Sequence, residues 1–130
     1  MTSKAIRKID EMNRKRWLLG ASRDRENGQA IIYLEGSKGW VTNDKYHRID
    51  GPAFEDVNGS KYWIQNGVYH REDGPAITLP DDDEGSPYWY INGRRLYPEK
   101  SIKNKKLKQK YPKLIKAMKI YLAIQSVHNS

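Results

Sequence analysis

The chain contains no cysteine, so neither a disulfide framework nor a thiolate metal site can be built from it, which suits a reducing compartment. No signal-like stretch opens it, and no apolar run approaches the ~18 residues of a membrane span, so a soluble, cytoplasmic protein with no membrane attachment is expected. Phenylalanine occurs once, and Leu and Val are scarce in the middle of the chain. Four Trp and nine Tyr supply the apolar bulk instead, so the core should be aromatic rather than aliphatic. With 130 residues and 37% apolar content, the core is modest and the chain is one domain.

The tryptophans carry the organisation. Trp17, Trp40, Trp63 and Trp89 lie 23, 23 and 26 residues apart, a period that marks a stack of small supersecondary units. Alignment on them brings Arg25-Glu26-Asn27-Gly28-Gln29-Ala30 onto Arg48-Ile49-Asp50-Gly51-Pro52-Ala53 and Arg71-Glu72-Asp73-Gly74-Pro75-Ala76. A turn pair follows each tryptophan: Gly20-Ala21, Asn43-Asp44, Asn66-Gly67 and Asn92-Gly93. A second turn recurs as Gly36-Ser37-Lys38, Gly59-Ser60-Lys61 and Gly85-Ser86-Pro87. The three extra residues of the last interval fall in the acidic run Asp81-Asp82-Asp83-Glu84, read as a lengthened turn.

Short stretches rich in aromatic and β-branched residues separate these turns. Lys61-Tyr62-Trp63-Ile64-Gln65 and Val68-Tyr69-His70-Arg71 flank Asn66-Gly67, which accepts positive φ at both positions and predicts a two-residue hairpin. Asp-Gly-Pro then redirects the chain. The expectation is α+β: an antiparallel meander of ~23-residue hairpin repeats over residues 17–97, in a single sheet with Trp and Tyr on one face.

Tyr46-His47-Arg48-Ile49-Asp50-Gly51-Pro52-Ala53 and Tyr69-His70-Arg71-Glu72-Asp73-Gly74-Pro75-Ala76 resemble the His-Arg-x-Asp-Gly-Pro-Ala repeat of many small bacteriophage and bacterial proteins. That repeat is similar to the MORN hairpin in period and in its aromatic-x-x-Asn-Gly opening. The resemblance covers about residues 17 to 97 and implies a β-meander, with no single activity attached. The first unit departs from it with Asp24 and Gln29 in place of His and Pro, and the last stops after Arg94-Arg95-Leu96-Tyr97.

Charge is segregated. The net charge is +5 over residues 1–25, −5 over 26–98 and +8 over 99–130, an acidic body between basic ends. Both ends read as helices. Residues 1–16 have Ser3 as N-cap and apolar Ile6, Ile9 and Met12 at helical spacing. In the 99–128 region, Ser101 to Tyr111 is lysine-dense, and Pro112 kinks or restarts the helix. Leu114, Ile115, Met118, Tyr121 and Leu122 then form one apolar stripe, so this helix should lie on the sheet or seal its last strand.

For chemistry the sequence offers little. His47 and His70 recur at one repeat position, and a residue recurring in every unit usually has a structural role, here with Arg48 and Arg71 pairing with Asp50 and Asp73 and histidine capping a backbone carbonyl. A metal site from the two histidines with Asp50 and Asp73 is the weaker alternative. The acidic run lacks EF-hand spacing, and the kinase-like His-Arg-x-Asp string stands without the other kinase motifs. No nucleophile, base and oxyanion donors can be named together, so no catalytic residue, metal or cofactor is assigned.

Two function classes stay open. In the first, a non-enzymatic module binds nucleic acid or a nucleoprotein through Lys103, Lys105, Lys106, Lys108, Lys110, Lys113, Lys116 and Lys119, with affinity that falls with salt and stacking contributed by Tyr and Trp. In the second, the repeat face, with Tyr46, His47, Arg48, Tyr69, His70 and Arg71, docks a protein, as a phage effector inhibiting a host or defence protein would. Homodimerisation through sheet edges or the C-terminal helix is a further option.

Overall fold

The computed structural model describes residues 5–9, 15–19, 29–80 and 87–128. Along the chain, β1 (Ala5–Ile9), β2 (Lys15–Leu19), β3 (Gln29–Tyr33) and β4 (Lys38–Thr42) are the longer strands. Seven short ones follow in the middle: β5 (Lys45–Tyr46), β6 (Phe54–Glu55), β7 (Lys61–Tyr62), β8 (Ile64–Gln65), β9 (Val68–Tyr69), β10 (Ile77–Thr78) and β11 (Trp89–Ile91). After β12 (Arg94–Leu96) come α1 (Pro98–Ser101), α2 (Lys105–Lys110) and α3 (Pro112–His128). The class is α+β, with antiparallel strand pairing throughout and helices at the C-terminal end.

Asparagine reverses the chain three times. Asn43 and Asp44 (φ 51° and 64°), Asn66 and Gly67 (53° and 82°) and Asn92 and Gly93 (51° and 81°) are all left-handed. Positive φ at both central residues matches the twist of the flanking strands, so each pair closes a two-residue hairpin: β4–β5, β8–β9 and β11–β12. The pairing is the same in all three, with Val41 opposite Tyr46, Ile64 opposite Tyr69 and Tyr90 opposite Arg95.

The main sheet has eight strands in the order β1-β2-β3-β4-β6-β7-β10, with β5 on β4. Gly39 faces Phe54, and 23 residues on Tyr62 faces Ile77. Phe54 faces Tyr62, and Ile77 faces Tyr88, the extra three-residue step spanning the interval that contains 81–86. Trp40 N–H donates to Ala53 O at 2.8 Å and Trp63 N–H to Ala76 O at 2.7 Å, with both alanines fully buried. Trp17 stands apart. It lies opposite Ile32, whereas a 23-residue step back from the Trp40–Ala53 contact would put it opposite Ala30. The turn at Gly20-Ala21, the segment 25–28, the acidic run Asp81–Glu84 and the turn at Gly85-Ser86 lie outside the described residues.

Two expectations need correcting. The sheet is not single: β8–β9 and β11–β12 form separate two-stranded ribbons. The reason lies in one side chain. Gly67 N–H donates to Tyr46 O and Arg48 N–H to Ile64 O, as ladder bonds would, but between them Asn66 N–H donates to His47 Nδ1 at 2.9 Å. An imidazole inserted where a carbonyl would stand interrupts the ladder between successive hairpins. The same happens at the next step, where Asn92 N–H donates to His70 Nδ1 at 2.9 Å.

The N-terminal helix over 1–16 is also replaced. Residues 5–9 and 15–19 are paired strands, and β2 continues onto β3. The edge of β3 presents a row of unpaired amides and carbonyls that a helix cannot satisfy and a strand can, and this tertiary demand outweighs the weak helical spacing of Ile6 and Ile9. Ser3 and Met12 lie outside the described residues.

At the other end the helices seal the last hairpin. Trp89 and Ile91 of β11 are buried with Tyr111, Leu114, Ile115 and Met118, flanked by Leu96, Ile102, Leu107, Ala117 and Tyr121. Burying this mixed aromatic and aliphatic set supplies the core that the thin sheet lacks. The lysine-dense segment is not one helix. Asn104 accepts from Leu107 N–H at 3.0 Å and caps α2, after α1 has ended at Ser101, and Pro112 opens α3. No helix among the described residues is long and apolar enough to cross a membrane.

Candidate nucleic-acid interface

The six residues proposed on the repeat face divide into five buried or half-buried builders of the fold and one exposed ring, Tyr69. Arg48 and Arg71 belong to the first set. Each guanidinium lies 3.8 Å over an indole centroid, Arg48 on Trp40 and Arg71 on Trp63. Arg71 Nε donates to Asp73 at 2.9 Å and Nη1 to Pro75 O at 3.1 Å; for Arg48 the same bonds, to Asp50 and Pro52 O, are 3.3 and 3.2 Å. The Asp-Gly-Pro sequence is thereby explained: the carboxylate and the proline carbonyl receive the guanidinium, and the glycine between them leaves room for it. A Cβ at Gly74 would sit 2.8 Å from Arg71 Cζ, and one at Gly51 3.0 Å from Arg48 Cζ.

His47 and His70 are buried, and each Nδ1 is taken by the next hairpin's asparagine amide. The imidazole therefore accepts from an amide rather than donating to a carbonyl. For His70 this fixes the proton on Nε2, which lies 2.8 Å from Glu72 Oε2. The arrangement speaks for the structural role, and no group of three or more His, Cys, Asp or Glu among the described residues is placed to hold a metal ion.

Tyr46 and Tyr69 belong to a ladder of rings crossing from the sheet to the hairpins. Tyr46 meets Phe54 at 5.6 Å, Phe54 meets Tyr62 at 5.8 Å, Tyr62 meets Tyr69 at 6.2 Å and Tyr69 meets Tyr90 at 5.1 Å. Tyr33 closes one end with a 2.6 Å hydroxyl–hydroxyl hydrogen bond to Tyr46. Burial pushes the Tyr69 phenol above its ordinary value, and the neighbouring Tyr62 and Tyr90 add to the shift by charge repulsion.

All eight candidate lysines are exposed. The fold brings only some of them together. Lys106 and Lys110, one turn apart on α2, join Lys100 of α1 and Arg94 and Arg95 of β12 around a cleft of about 660 Å³ between the last hairpin and the helices. None of the described residues lining this cleft is acidic. Lys103, Lys105 and Lys108 do not line it, and Lys116 and Lys119 lie farther along α3, outside this cleft. Lys110 and Lys113 also border a second cleft, of about 760 Å³, where Asp50, Glu72 and Asp73 balance the positive charge.

Arg94, Arg95 and Lys100 are the residues that charge density along the chain overlooks. The hairpin register could have found them. Arg94 and Arg95 directly follow the Asn92-Gly93 turn, and Pro98 starts α1, so two basic segments are joined by a tight corner. Over residues 87–128, about a third of the chain, there are eleven Lys and Arg and one acidic residue, Glu99.

Comparison with protein-family models, curated proteins and solved structures returns no match for this chain.

Proposed function

We propose that this protein is a small non-enzymatic nucleic-acid-binding module: an array of His-Arg-x-Asp-Gly-Pro-Ala hairpin repeats, of phage or bacterial type, that carries a basic helical cap and works in the cytoplasm. The observation carrying this reading is the cleft at the cap, which five cationic residues line and where no described lining residue is acidic. Cations held at such density neutralise phosphates and release condensed counterions, which gives affinity largely independent of base sequence. The recurring contacts of Arg48 and Arg71, of His47 and His70, and the shared hairpin register support the repeat reading.

The test is binding of mixed-sequence DNA and RNA to the intact chain, measured with Arg94, Arg95, Lys100, Lys106 and Lys110 replaced by Gln, and separately with Lys103, Lys105 and Lys108 replaced. The first set should abolish binding and the second weaken it only modestly. Equal loss from both sets would mean diffuse attraction without a site.

A second reading, a protein-docking module, is favoured by the outer face of α3, where Ile120 and Ile124 are 53% and 51% exposed one turn apart, and by exposed Tyr69 on the hairpin side. It predicts a protein recovered from the native host whose binding is lost on Ile124→Glu or Tyr69→Ala and is insensitive to the cleft substitutions.

A further inference from the structure

Position 97 is where the last hairpin parts from the others. Counted from its tryptophan, Tyr97 stands where Arg48 and Arg71 stand in the two preceding units. In those units the side chain is tied down over the indole and into the Asp-Gly-Pro loop. Here Trp89 instead meets Tyr121 of α3 edge to face, at 5.7 Å and 63°. Tyr97 is released. It is 54% exposed, its side chain makes no capping hydrogen bond to α1, and it lines the basic cleft.

Its neighbour is also set up for a ligand. The Arg95 guanidinium lies 4.7 Å from the Tyr88 ring centroid and 4.8 Å from that of Tyr97, held between two aromatic groups on an exposed strand. Aromatic contact orders the fork and leaves its N–H groups for an acceptor. An exposed ring beside an ordered guanidinium, with Arg94, Lys100 and Lys106 lining the same cleft, offers a stacking surface next to cations able to meet phosphates. A duplex hides its base faces; a single strand offers both bases and backbone.

We propose that the cleft at the cap binds single-stranded nucleic acid, with a base stacked on Tyr97 and adjacent phosphates held by Arg94, Arg95 and Lys106. This rests on the nucleic-acid reading above and adds the strand state and the stacking residue. The base occupies the open part of the Tyr97 ring. Sequence preference is weak because every base has a π face.

The test uses the intact chain and fluorescence anisotropy with three polyanions: a short oligothymidylate, a duplex of the same length, and heparin, which has phosphate-like charge density but no bases. Variants are Tyr97→Phe, which keeps the ring, and Tyr97→Leu, which keeps apolar bulk without it; thermal melts verify that both are folded. Because Tyr97 caps α1 through its backbone carbonyl, which accepts from Lys100 and Ser101 N–H, both substitutions leave the helix start in place. The expected result is preference for the single strand, a loss of about tenfold for Tyr97→Leu on that strand alone, and near-wild-type binding for Tyr97→Phe. Duplex or heparin binding as tight as the strand, or Tyr97→Leu binding like wild type, overturns the proposal and leaves a cleft that reads charge only. Failure of all three polyanions to bind overturns the nucleic-acid reading with it.

Discussion

Replacing Gly74 with alanine tests whether the Asp-Gly-Pro loop exists to hold an arginine. The backbone there is not left-handed, so alanine meets no conformational penalty of its own. Its Cβ would instead lie 2.8 Å from Arg71 Cζ and 3.0 Å from Nε and Nη1, which must move. Moving them gives up the contact with Trp63, worth about 0.5–1 kcal/mol at a part-exposed site. It also gives up the bond to Pro75 O, worth about 1 kcal/mol, and the pairing with Asp73, whose side chain is 62% exposed and which adds only about 0.5 kcal/mol. Against this loss, alanine reduces the freedom of the unfolded chain and returns about 0.4–1 kcal/mol. The net expectation for Gly74→Ala is a destabilisation of about 1–2 kcal/mol, read by urea denaturation followed through tryptophan fluorescence. The decisive comparison is the same change in an Arg71→Ala background. With no guanidinium to displace, Gly74→Ala should there stabilise by about 0.5 kcal/mol, a coupling of about 2 kcal/mol between the two positions. If Gly74→Ala costs the same with and without Arg71, the explanation of the motif is wrong.

Other consequences follow from the same contacts. His70→Ala strands the Asn92 amide beside the last hairpin and should cost about 1–3 kcal/mol, while His70→Asn, which keeps an acceptor, should cost less; a neutral result for alanine in the same urea assay would remove the histidine from the fold's working parts. Tyr69 should be among the last tyrosines to ionise when phenolate absorbance is followed through an alkaline titration, and Tyr69→Phe should delete that late step. Since the folded phenol keeps its proton longer than the unfolded one, the stability linked to it is fully present below the ordinary tyrosine value and drains away as pH rises through the raised one. A Tyr69→Phe variant with unchanged alkaline stability would contradict the sign.

Features set by neighbouring residues were legible in the sequence, and those set by distant partners were not. Asn66-Gly67 and Asn92-Gly93 announce their hairpins because positive φ is a local property. The apolar stripe of Leu114, Ile115 and Met118 announces a packed helix, and these three are buried against Trp89 and Ile91. Residues 5–9 are different. Their spacing fits a helix, and only the open edge of β3, reached through β2, makes a strand the better solution. Division into a sheet and two ribbons depends on His47 and His70 accepting amides 19 and 22 residues further along, which no local pattern encodes. For the cleft, lysine density along the chain singles out Lys106 and Lys110 but not the other cations that line it. Lys106 and Lys110 face it because they are one helical turn apart, while Arg94 and Arg95 come from a hairpin that sequence distance separates from them.

The central functional claim is that a defined set of cations in this cleft meets phosphates, and its most direct measure is the salt dependence of binding to a short single strand. With about three to five phosphates neutralised, the slope of log K against log salt concentration should lie between about −2 and −3.5 for the wild-type chain. Substitution of Arg94, Arg95 and Lys106 by Gln should reduce its magnitude by about 2. A wild-type slope indistinguishable from zero, or one that the triple substitution leaves unchanged, would contradict the account.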